Sequence, residues 1–148
     1  MEPEARRDFE RKVGTAVTQV GLVISPFQPW LCASPDGLFE TSSGVTLLEI
    51  KCPYSRKDDT IIDHVSQQSY VNYIVYEDGS LKVARSHQYY CQMQVAMYVT
   101  NTKECFFFVY SRKQSIIVVV ERDEDFLSVN IPKLESFFYL FYMKQLMK

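Results

Sequence analysis

Val45-Thr46-Leu47-Leu48-Glu49-Ile50-Lys51-Cys52-Pro53 is the stretch on which the architecture of this 148-residue chain turns. Its β-branched and apolar residues favour extended backbone, and Pro53, which has no N–H to give to a ladder, stops the run. Successive side chains of a strand leave on opposite faces. Leu48, Ile50 and Cys52 therefore share one face, and Glu49 and Lys51 share the other.

Working upstream, residues 41–44 (Thr41-Ser42-Ser43-Gly44) form a short loop that joins this strand to Leu38-Phe39-Glu40 as an antiparallel pair. Before them stands the turn Ser34-Pro35-Asp36-Gly37, preceded by a short strand over residues 30–33. Residues 15–25, rich in valine and threonine and ended by Ser25-Pro26, read as a further strand. Residues 2–12 place Ala5, Phe9 and Val13 at helical spacing among Glu and Arg, so they form an amphipathic helix that Gly14 ends.

Downstream, residues 54–69 read as a polar connector with a short helix near residues 60–65. Residues 71–76 and 81–84 flank Glu77-Asp78-Gly79-Ser80, where Asp-Gly signals a tight hairpin. A helix over residues 87–100 follows, with Tyr90, Gln94, Met97 and Tyr98 spaced in threes and fours. Residues 105–110 and 115–121 are two strands joined by Ser111-Arg112-Lys113-Gln114. Residues 123–148 open with acidic residues, as a helix N-terminus favours, and repeat Leu127, Ile131, Leu134, Phe138 and Phe141 along one face. The order helix, three strands, hairpin, helix, two strands, helix predicts an α/β domain of α+β type, a central mixed sheet flanked by helices.

Composition agrees with one domain over residues 1–148. With 47% hydrophobic and 14% aromatic residues, a chain of this length buries about two thirds of its unfolded surface. The net charge of -2 announces no polyanion partner in bulk, although a nucleic-acid site needs only a local basic patch. Cys32, Cys52, Cys91 and Cys105 show neither paired spacing nor histidines at zinc-ligand spacing, so they read as buried free thiols. The charged start Met1-Glu2-Pro3-Glu4-Ala5-Arg6-Arg7 lacks the apolar core of a signal peptide, and no run reaches membrane-spanning length. A soluble intracellular protein is expected.

Asp36, Glu49 and Lys51 are the residues with which chemistry can be done. Phosphodiester hydrolysis with Mg²⁺ needs hard carboxylate oxygens that converge on the ion and a cation beside the phosphate. An Asp at a strand tip and Glu-x-Lys on a neighbouring strand can supply both. Taken singly, the same residues also fit a Pro-Asp-Gly turn beside a solvated ion pair worth under ~1 kcal/mol.

The ordered series Ser34-Pro35-Asp36-Gly37-Leu38, Leu48-Glu49-Ile50-Lys51-Cys52-Pro53 and Tyr90-Cys91-Gln92-Met93-Gln94-Val95-Ala96-Met97-Tyr98 resembles the phage lambda exonuclease and YqaJ-type viral recombinase family, within the PD-(D/E)XK nuclease superfamily. The resemblance implies a restriction-endonuclease-like core and a Mg²⁺-dependent deoxyribonuclease, with Mn²⁺ able to substitute, that acts on duplex DNA ends as a 5′-to-3′ exonuclease in recombination or repair. It implies Asp36, Glu49, the Ile50 carbonyl and Glu2 as metal ligands, with Glu4 in reserve for Glu2, and Lys51 as the catalytic lysine. Gln94 and Tyr98 resemble the Gln-x-x-x-Tyr helix signature of RecB-like nucleases and share a helical face through their i, i+4 spacing. Gln92, which points elsewhere on that helix, ranks second. An aromatic core helix is the plain alternative for the same stretch.

Ser34 and Arg56 are further candidates for substrate contact, Arg56 with Lys57 as a phosphate-binding pair or as a solvated loop. His64 and His87 have no partner at telling spacing. Phe27 and Trp30 can stack bases or, more simply, pack under the first helix. Phe126, Val129, Phe137, Tyr139, Leu140, Tyr142 and Met143 exceed what one helix face can hide, which calls for a second buried face against the domain's own strands or a partner. Members of the family carry a further section ahead of the acidic first helix, and the domain is expected to lack it. Polarity, processivity, oligomeric state and an annealing or recombinase partner depend on such parts. The alternative function is a nuclease-derived module that grips DNA or a protein without cutting, and a restriction-like endonuclease is a third reading.

Overall fold

The computed structural model describes residues 1–28 and 30–137. Along the chain these form α1 (Glu2–Val13), β1 (Val23–Ile24), β2 (Cys32–Ala33), β3 (Gly37–Thr41), β4 (Gly44–Lys51), β5 (Ile62–Asp63), β6 (Gln68–Ser69), β7 (Ile74–Glu77), β8 (Ser80–Val83), α2 (Gln88–Thr100), β9 (Glu104–Tyr110), β10 (Ser115–Glu121) and α3 (Glu124–Phe137).

β4 organises the main sheet, whose strand order is β10, β9, β4, β3. One edge pairs antiparallel with β3, from Gly37 opposite Leu48 to Thr41 opposite Gly44. The other pairs parallel with β9, from Leu47 opposite Cys105 to Lys51 opposite Val109. A parallel pair requires a crossover, and here it carries the ribbons β5–β6 and β7–β8 and then α2. β9 and β10 close the sheet as an antiparallel pair. The mixed sheet flanked by helices is the architecture expected from the sequence.

The alternation read from β4 holds. Leu48 and Ile50 pack with Ala5 and Phe9 of α1, Phe39 and Phe108, and Cys52 is partly buried against the same cluster. Phe9 meets Phe39 and Phe108 edge-on at 5.2 and 5.3 Å, the geometry that aromatic quadrupoles favour. Leu47 faces the opposite way, into a cluster with Met93, Met97, Phe107 and Val109 beneath α2. Glu49 and Lys51 therefore leave β4 on the α2 side. α1 ends as expected at Gly14, whose φ of 73° suits glycine. The Asp78-Gly79 turn has φ of 53° and 78°, the positive pair that a two-residue hairpin needs.

Three expectations are corrected. Residues 15–25 are not one strand: only Val23–Ile24 pair, with Cys32–Ala33, and Thr18 alone bridges to Leu38. Val17 instead lies over Gly37, where a Cβ would come within 2.2 Å of Val17 Cγ1. The segment caps the turn at Asp36 and does not extend the sheet. Residues 60–65 are not helical either. Ile61 and Ile62 are buried, their N–H groups donate to Gln114 Oε1, and Asp63 Oδ1 accepts from Val65 and Ser66 N–H to reverse the chain into β6. Side-chain turns of this kind compete with helix. Trp30 packs against the Leu31, Val99, Leu127 and Ile131 cluster beneath α3, not under α1, and Phe27 is 92% exposed.

In α3, Leu127 and Ile131 are buried as the repeat predicts, and Leu134 packs beside them. Phe138 and Phe141 of the expected stripe, with Tyr139, Leu140, Tyr142 and Met143, lie outside the described residues. Among the described residues no helix is long and apolar enough to cross a membrane.

Candidate active site

Asp36 sits at the end of the turn that feeds β3, next to the last β3–β4 pair, Gly37 with Leu48. Beyond that pair β4 has lost its β3 neighbour, and the Ile50 N–H donates to Asp36 Oδ2 at 2.7 Å instead. The N–H and C=O of one strand residue leave on the same edge, so the Ile50 carbonyl also faces Asp36. The Glu49 and Asp36 carboxyls lie close enough to act on each other. Burial, then the charge of Asp36, raises the Glu49 pKa from 4.5 to about 8. Lys51 pulls it the other way, and Glu2 adds a smaller upward push. Two half-buried carboxyls held close together favour keeping one proton, with Lys51 opposing that only in part.

Lys51 enters no ion pair among the described residues. Its ammonium stands 4.2 Å from the centre of the Tyr89 ring. Glu2 is exposed at the start of α1, close enough to act on Glu49 through its charge. Among the described residues no three His, Cys, Asp or Glu side chains converge tightly enough to hold a metal. Of the four expected ligands, Asp36, Glu49 and the Ile50 backbone lie together, and Glu2 is near enough to act on Glu49 only through its charge. Glu4 is exposed on the same helix end.

A cleft of about 470 Å³ opens beside Glu49, lined by Ser34, Gln88, Cys91, Gln92 and apolar residues of β2, α2 and α3. A larger cleft of about 780 Å³, between α1 and Tyr110, is remote from Glu49. Ser34 and Gln92 are both exposed at the first cleft, so the structure places these two substrate candidates in the cleft that Glu49 lines.

Gln94 and Tyr98 are placed elsewhere. Gln94 is fully buried. Its Nε2 donates to the Glu121 carbonyl at 2.9 Å and its Oε1 accepts from Asp123 N–H at 2.8 Å, which fastens the end of β10 and the start of α3 to α2. Tyr98 Oη donates to Gln28 Oε1 at 2.5 Å. Against the expected order, it is Gln92 that lines the cleft beside Glu49, while Gln94 and Tyr98 are bonded within the fold. Residues two apart on a helix point about 160° away from each other, and the face shared by Gln88, Cys91, Gln92 and Val95 is the one that meets the cleft.

Arg56 is committed to its own loop. Its Nε donates to the Thr60 carbonyl, it pairs with Asp59 at 3.5 Å and it lies over Tyr70. Lys57 covers Tyr54. His64 meets Tyr76 Oη on the β7–β8 side, and His87 caps α2 by accepting the Tyr89 N–H. The cysteines are free as expected, but only Cys105 is buried, and Cys32 is exposed. Sequence reasoning missed Tyr89 and Gln88. Gln88 is i, i+4 from Gln92, a spacing that could have drawn attention to it.

Residues 1–103 match the YqaJ-like viral recombinase domain. The chain belongs to this family. The YqaJ-like chain is 30% identical to the alkaline nuclease of Autographa californica nuclear polyhedrosis virus and 32% identical to that of Orgyia pseudotsugata multicapsid polyhedrosis virus. The matches cover 82% and 77% of this chain, and 32% and 30% of those proteins, so it spans about a third of the length of these relatives. Among solved structures it resembles LHK-Exo in complex with dAMP, with a TM-score of 0.71 and 26% identity over 97% of this chain and 65% of that one. A second structure of LHK-Exo, an alkaline exonuclease from Laribacter hongkongensis, matches with a TM-score of 0.60 and 27% identity over 99% of this chain and 71% of that one.

Proposed function

We propose that this chain is the nuclease core of a Mg²⁺-dependent deoxyribonuclease that hydrolyses DNA phosphodiester bonds from a 5′ end during recombination or repair. The observation that carries the reading is the paired Asp36 and Glu49 carboxyls on the α2 side of β4, with Lys51 two residues on. The nuclease relatives and the exonuclease fold of the solved neighbours support it, and so does the bound nucleotide of one neighbour.

The donor set fits Mg²⁺, which is held through one or two carboxylates with the rest of its shell left to water and phosphate. Asp36, Glu49 and the Ile50 carbonyl would hold the ion. When bound it would supply a Lewis acid and a hydroxide at neutral pH. Asp36 is oriented for this by the Ile50 N–H. Glu49, whose proton is held by burial and by the charge of Asp36, would be ionised when it holds the ion. Lys51 brings a positive charge to the side of β4 where negative charge develops on phosphate. Ser34 and Gln92 offer a hydroxyl and an amide to the strand being cut.

Linear duplex DNA carrying a label at the 5′ or the 3′ end tests the proposal. Wild-type protein with Mg²⁺ is expected to release the 5′ label first, and Asp36→Ala, Glu49→Ala and Lys51→Ala to lose roughly 100-fold or more while staying folded. Intact DNA after incubation of the wild type with Mg²⁺ or Mn²⁺ would refute it. A second reading, a module that binds DNA or protein without cutting, draws on the lack of a third close carboxylate among the described residues. It predicts retention of DNA with no product.

A further inference from the structure

We infer that Tyr89 is a positioning residue for Lys51, its ring face holding the ammonium in place by a cation–π contact. This rests on the proposed role of Lys51 at the phosphate. A lysine carries four rotatable methylenes, and ordering them costs conformational entropy. Lys51 forms no ion pair among the described residues, and Glu49 on the same face acts on it only through charge, so neither fixes the ammonium in one place. The Tyr89 ring centre is 4.2 Å from Nζ, well within the range over which an aromatic face attracts a cation.

The ring is itself fixed from several sides. Tyr73 meets it at 4.9 Å, His87 at 4.5 Å and Phe107 at 6.2 Å. The Tyr89 N–H donates to His87 Nδ1 at 3.1 Å, which anchors the first turn of α2. Phe107 is fully buried and lies opposite Glu49 in the β4–β9 ladder, so the ring is referenced to the strand that carries the site. An aromatic face also leaves the charge of Lys51 uncancelled, whereas a carboxylate partner would neutralise what the phosphate needs. The contact thus orders the lysine without spending its charge.

The test is a set of replacements at one position: Tyr89→Phe, Tyr89→Leu, and pentafluorophenylalanine, which keeps the ring shape but reverses the polarity of its face. Tyr89→Phe is expected to keep kcat within about twofold. The leucine and pentafluoro variants are expected to lower kcat about tenfold while KM for DNA stays within about twofold. In ¹³C-lysine-labelled protein, assigned with Lys51→Arg, the Lys51 ε-methylene protons are expected upfield in the wild type and Tyr89→Phe and at their ordinary position in Tyr89→Leu.

Should the leucine variant misfold, the pentafluoro variant carries the comparison with its packing intact. Wild-type kcat in the pentafluoro variant, or an unshifted Lys51 signal in the wild type, overturns the inference. A wild type that shows the upfield signal but cuts no DNA overturns it through the proposed function, and the signal tells that failure apart from loss of the contact.

Discussion

Gln92 and Gln94 are the same residue type, two positions apart on α2, and the fold uses them in opposite ways. Gln92 stands exposed at the mouth of the cleft that Glu49 lines. Gln94 is buried, with both ends of its amide bound to the backbone of residues 121 and 123. One face of α2 offers unspent hydrogen-bonding groups to a ligand, while the other uses them up as mortar between β10 and α3. A polar residue on a nuclease-like helix becomes a candidate for substrate contact only when its hydrogen bonds are not already taken by the fold.

Substitutions can break this contrast. Gln94→Leu keeps the volume but strands the Glu121 carbonyl and the Asp123 N–H, and should cost roughly 2–4 kcal/mol of stability by chemical denaturation. Loss of cleavage in that variant should follow unfolding alone. Gln92→Ala should lower kcat/KM on DNA by about tenfold, one lost hydrogen bond to substrate, with stability changed by under ~0.5 kcal/mol. Tyr98→Phe, which removes only the bond to Gln28, should cost about 1 kcal/mol and leave cleavage unchanged. A tenfold loss of cleavage in Tyr98→Phe without loss of stability would return that residue to the site.

A further effect is a slope. Metal-free protein keeps the Glu49 proton until about pH 8, whereas the unfolded chain releases it near the ordinary value of 4.5. Between those values the folded state binds more protons than the unfolded one, so stability falls as pH rises through that window. Glu49→Gln should flatten this part of the curve in denaturation measured from pH 4.5 to 8.

The sequence made β4 legible because alternation puts Glu49 and Lys51 on one face. That pair alone also fits a solvated ion pair, and it was its order relative to Gln94 and Tyr98 that marked a site. Asp36 was legible from turn chemistry, although the need for Gly37 lies in the approach of Val17 and not in a positive φ. The phase of α2 was not legible. Met93, Gln94, Ala96, Met97 and Val99 are all buried, so the helix shows no clean apolar stripe, and spacing alone says which residues share a face without saying what that face meets. Residues 15–25 misled because β-branched residues favour extended backbone whether or not a partner strand exists. Arg56 was chosen for its charge, and only tertiary structure shows Thr60, Asp59 and Tyr70 engaging it. Tyr89 gave no signal, since a tyrosine among core aromatics looks the same from sequence whether or not a lysine lies over it.

The central claim is that Asp36 and Glu49 form one metal-binding pair, and Mn²⁺ titration by calorimetry at pH 9, where Glu49 has lost its proton, tests it most directly. The wild type should bind Mn²⁺, and Asp36→Ala and Glu49→Gln should each abolish the binding heat while remaining folded. Equal heats from all three proteins would contradict the account.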